Sequence, residues 1–226
     1  MRNYSTGELH DNVAGKPNRR AFLGKAAAAA GSVAVLGLEP SGAQAFAHNS
    51  LVQVTRNFQA IRRHENTHVA ALVRILGSNA RPRPTFRNLL QHNEQLFIST
   101  SQGLENTGVG AYLGAAPIIK RSAYLAAAGS IALIEGRHAG WLDTLVGAPV
   151  TTNVVGQPQD FETPLTIDQV VALASPFIRS LNGGPPLTFD STPSDANDIR
   201  ILNFALALEY LEAEFYNLNV PRFFGR

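Results

Sequence analysis

The chain has 226 residues, 45% of them hydrophobic and only 16% charged, which supplies a sizeable core and argues against wholesale disorder. It holds no cysteine, so disulfide frameworks, thiolate zinc sites, iron–sulfur clusters and thiol catalysis are excluded. A pI near 9.1 suggests a nucleic-acid partner, but the charge is badly placed for one. Arg2, Lys16, Arg19, Arg20 and Lys25 outnumber Glu8, Asp11 and Glu39 at the head of the chain, and the rest is formally balanced, with Lys120 its one lysine. No basic stripe remains to neutralise phosphates, so no nucleic-acid partner is expected.

Residues 1–18 are polar and lack a hydrophobic period. Asn18-Arg19-Arg20-Ala21-Phe22-Leu23-Gly24-Lys25 follows, then an apolar run from Ala26 to Leu38. That run is short of the ~20 residues a permanent transmembrane helix needs, so no permanent membrane span is expected. Ala43-Gln44-Ala45 is an A-x-A pattern suited to a signal peptidase. Paired arginines, a following Phe-Leu and a mildly apolar Ala/Gly segment resemble a twin-arginine export signal. The resemblance implies a signal peptide over 1–45, a domain over 46–226, and a periplasmic or secreted location. Such signals serve proteins exported already folded, often with a cofactor loaded beforehand.

From Asn49 to Gly147 apolar residues recur at helical spacing, with glycine and proline as punctuation. One helix is predicted from about Ser50 to Leu76, stopped by Gly77-Ser78-Asn79, Pro82 and Pro84. A second is predicted from near Thr85 to the Gly108/Gly110 region, and a third from Pro117 to Gly147-Ala148-Pro149. Residues 148–198 read as a linker containing a short helix. Thr166-Ile167-Asp168-Gln169 resembles a capping box that opens this helix, which is expected to reach Leu181 with a kink at Pro176. A final helix is predicted from about Asp195 to Val220, ended by Pro221. No period-two strand pattern stands out, and the expected class is all-α.

In the first helix Phe58, Ile61, Glu65, His68, Leu72 and Ile75 share one face; in the third, Ala128, Ile131, Glu135, His138, Leu142 and Leu145 do the same. Each face carries Glu-x-x-His in its middle, and a three-residue step points both side chains at one cation. A buried carboxylate is costly without a cation or protons. Glu105 lies among Phe97, Ile98, Ser101, Leu104 and Tyr112, and Glu209 among Leu202, Ala205, Leu206, Ala213 and Tyr216. Four helices thus supply four glutamates and two histidines, the ligand set of a dinuclear carboxylate site in a four-helix bundle. Tyr112 and Tyr216 each follow one of these glutamates by seven residues and read as core tyrosines near the site. His64 and His92 are expected to face outward or sit at an interface, and Trp141 to be packing. Glu212 stands close enough to the inner face to act behind the ligands, but solvation at a helix edge is the expectation.

These segments resemble the ferritin-like superfamily, and more narrowly the family of ferritin-like domains that includes desiccation-related proteins. The resemblance rests on ILNFALALEYLEAEFY (201–216), RRHENTHVAALVRIL (62–76), LENTGVGAYLGAAP (104–117) and YLAAAGSIALIEGRHAGWL (124–142). Leu202-Asn203, Glu209 and Tyr216 match the family's first helix, which stands last here. The resemblance implies a ferritin-like four-helix bundle, circularly permuted, with Glu65 and Glu135 bridging two metals. Glu105 and Glu209 would each complete one metal's shell, and His68 and His138 would be ligands too. The C-terminal helix could alternatively swap into a homodimer or begin a second domain; permutation is the expectation, because a relocated helix can still occupy its groove.

Oxygen-rich donors with two imidazoles favour iron or manganese, with zinc also compatible. The expectation is therefore two Fe or Mn ions and, as partners, dioxygen or peroxide. One function is an exported dinuclear metal protein of ferroxidase-like or catalase-like oxidoreductase type, serving oxidative stress. The other is a non-catalytic protective or structural envelope protein on the same fold.

Overall fold

The computed structural model describes residues 41–225, with side chains from residue 50. The expected export signal over residues 1–45 lies almost wholly outside these residues. The chain divides into units Met1–Ala47 and His48–Arg226, and the bundle is the second. Its helices are α1 (Ser41–Leu76), α2 (Glu94–Ala115), α3 (Ser122–Val146), the short α4 (Ile167–Ala174) and α5 (Asp195–Phe224). Two short strands, β1 (Thr85–Phe86) and β2 (Ile178–Ser180), pair antiparallel.

The four long helices form a bundle in which neighbours run antiparallel. Helix α5 runs against α1, with Arg62 donating to Asn217 at 2.8 Å near one end and Asn203 donating to the Asn79 carbonyl at 2.9 Å near the other. It also runs against α2, where the Phe97 and Phe223 rings lie 5.6 Å apart and Tyr112 meets Glu209. Helix α3 runs against α2 through Gln102 and Asp143, 2.8 Å, and against α1 through His64 and His138. So α1 and α2 lie parallel on one diagonal, with Phe58 and Phe97 in contact across it at 4.9 Å. Helix α5 sits between α1 and α2 within its own chain, as a permuted bundle requires.

Local chemistry sets the helix ends. Asn93 caps α2 by accepting from the Leu96 N–H at 2.8 Å, Ser194 caps α5 by accepting from Asn197, and Gly147 ends α3 in the left-handed region at φ 80°. The Thr166–Gln169 capping box opens α4. Asp198 is buried one turn into α5, where its carboxylate accepts from the Lys120 and Arg121 N–H groups and so pins the α2–α3 turn.

The structure departs from the sequence expectations at several boundaries. Helix α1 starts at Ser41, so Ala43-Gln44-Ala45 falls in its first turns. Helix α2 starts at Glu94 instead of Thr85, because Thr85–Phe86 pairs with β2 and Asn88 turns the chain at φ 58°. Pro176 ends α4 in a single 3₁₀ turn, and the residues beyond form β2 instead of more helix. Pro221 fails to stop α5, which continues to Phe224; in a final turn a missing N–H costs one bond of the ladder, not the helix.

The loop after α3 lies tight on α2. The Leu165 N–H donates to the Gly110 carbonyl at 2.9 Å, and a Cβ on Gly114 would stand 2.1 Å from the Leu165 carbonyl oxygen. Only glycine fits that crossing. Among the described residues no helix is long and apolar enough to cross a membrane.

Candidate metal centre

At mid-height of the bundle the four long helices converge their acidic side chains. Glu65 and His68 come from α1, Glu105 from α2, Glu135 and His138 from α3, and Glu209 from α5; all six are buried. Two groups form, Glu65–Glu105–Glu135–His138 and Glu65–His68–Glu135–Glu209, and within each the ligand atoms lie within 4.8 Å of one another. Glu65 and Glu135 belong to both. All six residues singled out in the sequence are therefore brought together in one place.

The apolar faces that carry them are close to those expected. Phe58, Ile61, Leu72 and Leu76 are buried on α1, with Leu76 taking the inward place expected of Ile75, which is only partly buried. On α3, Ala128, Ile131 and Leu142 are buried above and below the Glu-x-x-His pair. Trp141 packs edge-on against Phe58 at 4.8 Å, as a packing residue should.

Each imidazole faces several carboxylates at once. Nδ1 of His68 lies 3.2 Å from Glu65 Oε2, 3.1 Å from Glu135 Oε1 and 3.3 Å from Glu209 Oε2. Nδ1 of His138 lies 3.0 Å from Glu105 Oε2, 3.2 Å from Glu65 Oε1 and 4.0 Å from Glu135 Oε1. Burial opposes charge on both rings, but Glu209 and Glu65 around His68, and Glu105 and Glu65 around His138, push each up to about 10. Glu65 is also opposed by burial, yet the His138 and His68 rings beside it hold it down at about 2. Burial and its like-charged neighbours raise Glu135 well above the carboxylate range and Glu209 to about 7. The same cluster thus holds one carboxyl down and pushes others up.

The donor set fits divalent cations. Glu65 Oε1, both Glu135 oxygens and Glu209 Oε2 are buried with no hydrogen-bond partner. An orphaned carboxylate oxygen is expensive in a dry interior, and a proton on either Nδ1 could satisfy only one of the three oxygens around it. A cation among those oxygens and Nδ1 would satisfy the whole group.

Both tyrosines reach the site crosswise. Tyr112 on α2 donates to Glu209 Oε1 at 2.6 Å, and Tyr216 on α5 donates to Glu105 Oε1 at 2.5 Å. Each therefore holds the buried glutamate of the neighbouring helix. Burial and that carboxylate raise both phenols well above their ordinary value, so they remain donors.

Two residues lie closer to the site than the sequence suggests. His64 is half-buried with Nδ1 2.9 Å from Nε2 of His138, and burial and that neighbour lower its pKa. Its partner lies 74 residues away, so no local spacing could have revealed it. Glu212 is buried instead of solvated; burial and the nearby carboxylates raise its pKa well above the ordinary range. Gly108 leaves it room: a Cβ there would stand 3.2 Å from Glu135 Oε2, a tight contact, and 3.4 Å from Glu212 Oε1. The three-residue step from Glu209 to Glu212, the same as in Glu-x-x-His, was the available signal. His92 is exposed and stays outside the site.

The sequence profile of the ferritin-like domain family matches residues 22–148 and 197–224, more than half of the chain and every helix that bears one of the six residues. The chain belongs to the ferritin-like domain family. The segment between the two matched stretches contains α4 and β2, which lie outside the four-helix bundle. No curated protein and no solved structure matches the chain.

Proposed function

We propose that this ferritin-like domain is an exported dinuclear iron or manganese protein that oxidises ferrous iron or consumes peroxide. The observation that carries the reading is the pair of overlapping four-residue groups sharing Glu65 and Glu135. A shared carboxylate is what two adjacent cations need, and four carboxylates with two neutral imidazoles balance two divalent ions in charge. Glu65 and Glu135 would bridge; Glu105 with His138, and His68 with Glu209, would complete one ion each. The donor set, mostly carboxylate oxygen with two imidazole nitrogens, favours iron or manganese.

Two such ions would supply electrons to dioxygen or peroxide, and the chain's own part is positioning and shielding. The tyrosine hydroxyls hold Glu105 and Glu209 in place. Phe58, Leu72, Phe97, Leu142, Leu202 and Leu206, all buried, belong to the apolar walls that keep bulk water away. Within the family the sequence resembles the branch that includes desiccation-related proteins, which agrees with a role against oxidative damage.

Metal analysis of folded protein isolated without chelators should find about two transition-metal ions per chain. Ferrous oxidation or peroxide consumption should then exceed that of a Glu65→Ala, Glu135→Ala double variant. Two bound ions with no turnover of either substrate would make the protein a non-catalytic, metal-stabilised bundle instead.

The address at the head of the chain has its own test. Replacing Arg19 and Arg20 together with lysines should leave precursor inside a bacterial cell, while the parent is processed near Ala45 and exported. Equal export of the double variant would remove the twin-arginine reading.

A further inference from the structure

We propose that His64 is the positioning residue for one of the two metal positions: its Nδ1 accepts the Nε2–H of His138, fixing that ring with Nδ1 toward Glu65, Glu105 and Glu135 and making this position the tighter of the two. The inference rests on the dinuclear reading above and adds to it an ordering of the two ions.

The geometry is that of an in-plane hydrogen bond. The two nitrogens are 2.9 Å apart, the ring planes differ by 9°, and the ring centres are 5.2 Å apart. The centres are separated by roughly the nitrogen–nitrogen distance plus one ring width, so the imidazoles meet edge to edge in nearly one plane. A neutral imidazole carries one N–H and one lone pair. With Nδ1 of His138 given to a cation, its proton must sit on Nε2, and the atom facing it is Nδ1 of His64. That contact sets both the tautomer and the orientation of the ring.

His68 has no such partner among the described residues: nothing there is hydrogen-bonded to its Nε2, although its Nδ1 faces three carboxylates much as His138 does. The difference follows from the sequence of α1: His64 precedes Glu65, so it stands one step off the inward face and reaches across to α3. Partners of this kind change metal affinity by about 10–100-fold when removed.

Manganese(II) titration by calorimetry, run in His68→Ala and His138→Ala backgrounds, isolates the two positions. In the His68→Ala background, His64→Ala should weaken the remaining site by about 10–100-fold. His64→Gln, whose amide oxygen can accept the Nε2–H, should recover most of that loss. In the His138→Ala background, His64→Ala should leave the affinity of the remaining site where it was. Cobalt(II) absorption should change on His64→Ala only where His138 is present. Equal weakening in both backgrounds, or none in either, would overturn the positioning role. Parent protein that takes up neither Mn(II) nor Fe(II) would overturn the dinuclear reading itself, and this inference with it.

Discussion

Glu65→Ala and Glu135→Ala should each reduce bound metal from about two ions to near none, whereas Glu105→Ala should chiefly remove one. Glu65 and Glu135 are the two residues common to both ligand groups, and each has an oxygen without a hydrogen-bond partner. Removing either one takes a donor from both ions and lifts the negative charge that holds the pair together. Glu105 belongs to one group only, and its loss leaves Glu65, His68, Glu135 and Glu209 intact. Metal content by elemental analysis, beside the melting temperature of each metal-free variant, separates lost ligation from lost folding. The metal-free Glu135→Ala protein should be no less stable than its metal-free parent, because burial and its neighbours already keep that carboxyl far above its ordinary pKa. Two ions retained in both variants would assign the metal elsewhere.

Chelation should lower the melting temperature by about 10–20 °C at pH 8, and by less at pH 6. Ligands that bind only the folded chain at a hundred times Kd add about 2.7 kcal/mol each, and a domain of this size moves about 2–4 °C per kcal/mol. The pH dependence follows from the protons that metal must displace. His68 and His138 are raised from 6.5 to about 10, so they stabilise the metal-free fold fully below pH 6.5 and lose that contribution as pH rises through about 10. Glu209, raised from 4.5 to about 7, acts in the same direction between those values. Glu65, lowered from 4.5 to about 2, contributes above pH 4.5 and loses its contribution as pH falls toward 2. Rising pH through the neutral range therefore weakens the metal-free form while it eases metal entry. Calorimetry in buffers of different ionisation enthalpy should show protons released on loading. A melting temperature indifferent to chelator at both pH values would refute metal stabilisation.

The site was more legible in the sequence than the topology around it. Glu65, His68, Glu135 and His138 could be read because each pair sits mid-face on an amphipathic helix with a three-residue step. Glu105 and Glu209 could be read because an acid inside an apolar stripe demands a partner. The edges were harder. Thr85–Phe86 is too short to show a period, and its partner lies some ninety residues on, in β2. Helix α5 misled about Glu212 because it is buried nearly all round: the crossing between α1 and α2 covers its outer side, where Arg81 meets Asn203 and the Gln91 N–H meets Asn219. A helix apolar on every side is a central helix, and ILNFALALEYLEAEFY carries that signal. His64 was invisible because its partner belongs to another helix.

The crossed tyrosines carry a consequence for symmetry. Helix α2 bears Glu105 and, seven residues on, Tyr112; helix α5 bears Glu209 and, seven residues on, Tyr216. Each donates to the other's glutamate, as Glu-x-x-His on α1 mirrors Glu-x-x-His on α3. The bundle is thus two like halves about an approximate two-fold axis: α2 with α3, contiguous in the chain, and α5 with α1, drawn from far apart in it. Under that axis His64 corresponds to Ile134, and Glu212 corresponds to Gly108. The second correspondence is a matter of space, because Gly108 faces both Glu135 and Glu212 across a gap that a Cβ would already make tight. A glutamate at both places would have to share one gap, so at this position the halves are forced to differ. The donors repeat and their surroundings do not, which gives a nearly symmetric centre two distinguishable ends.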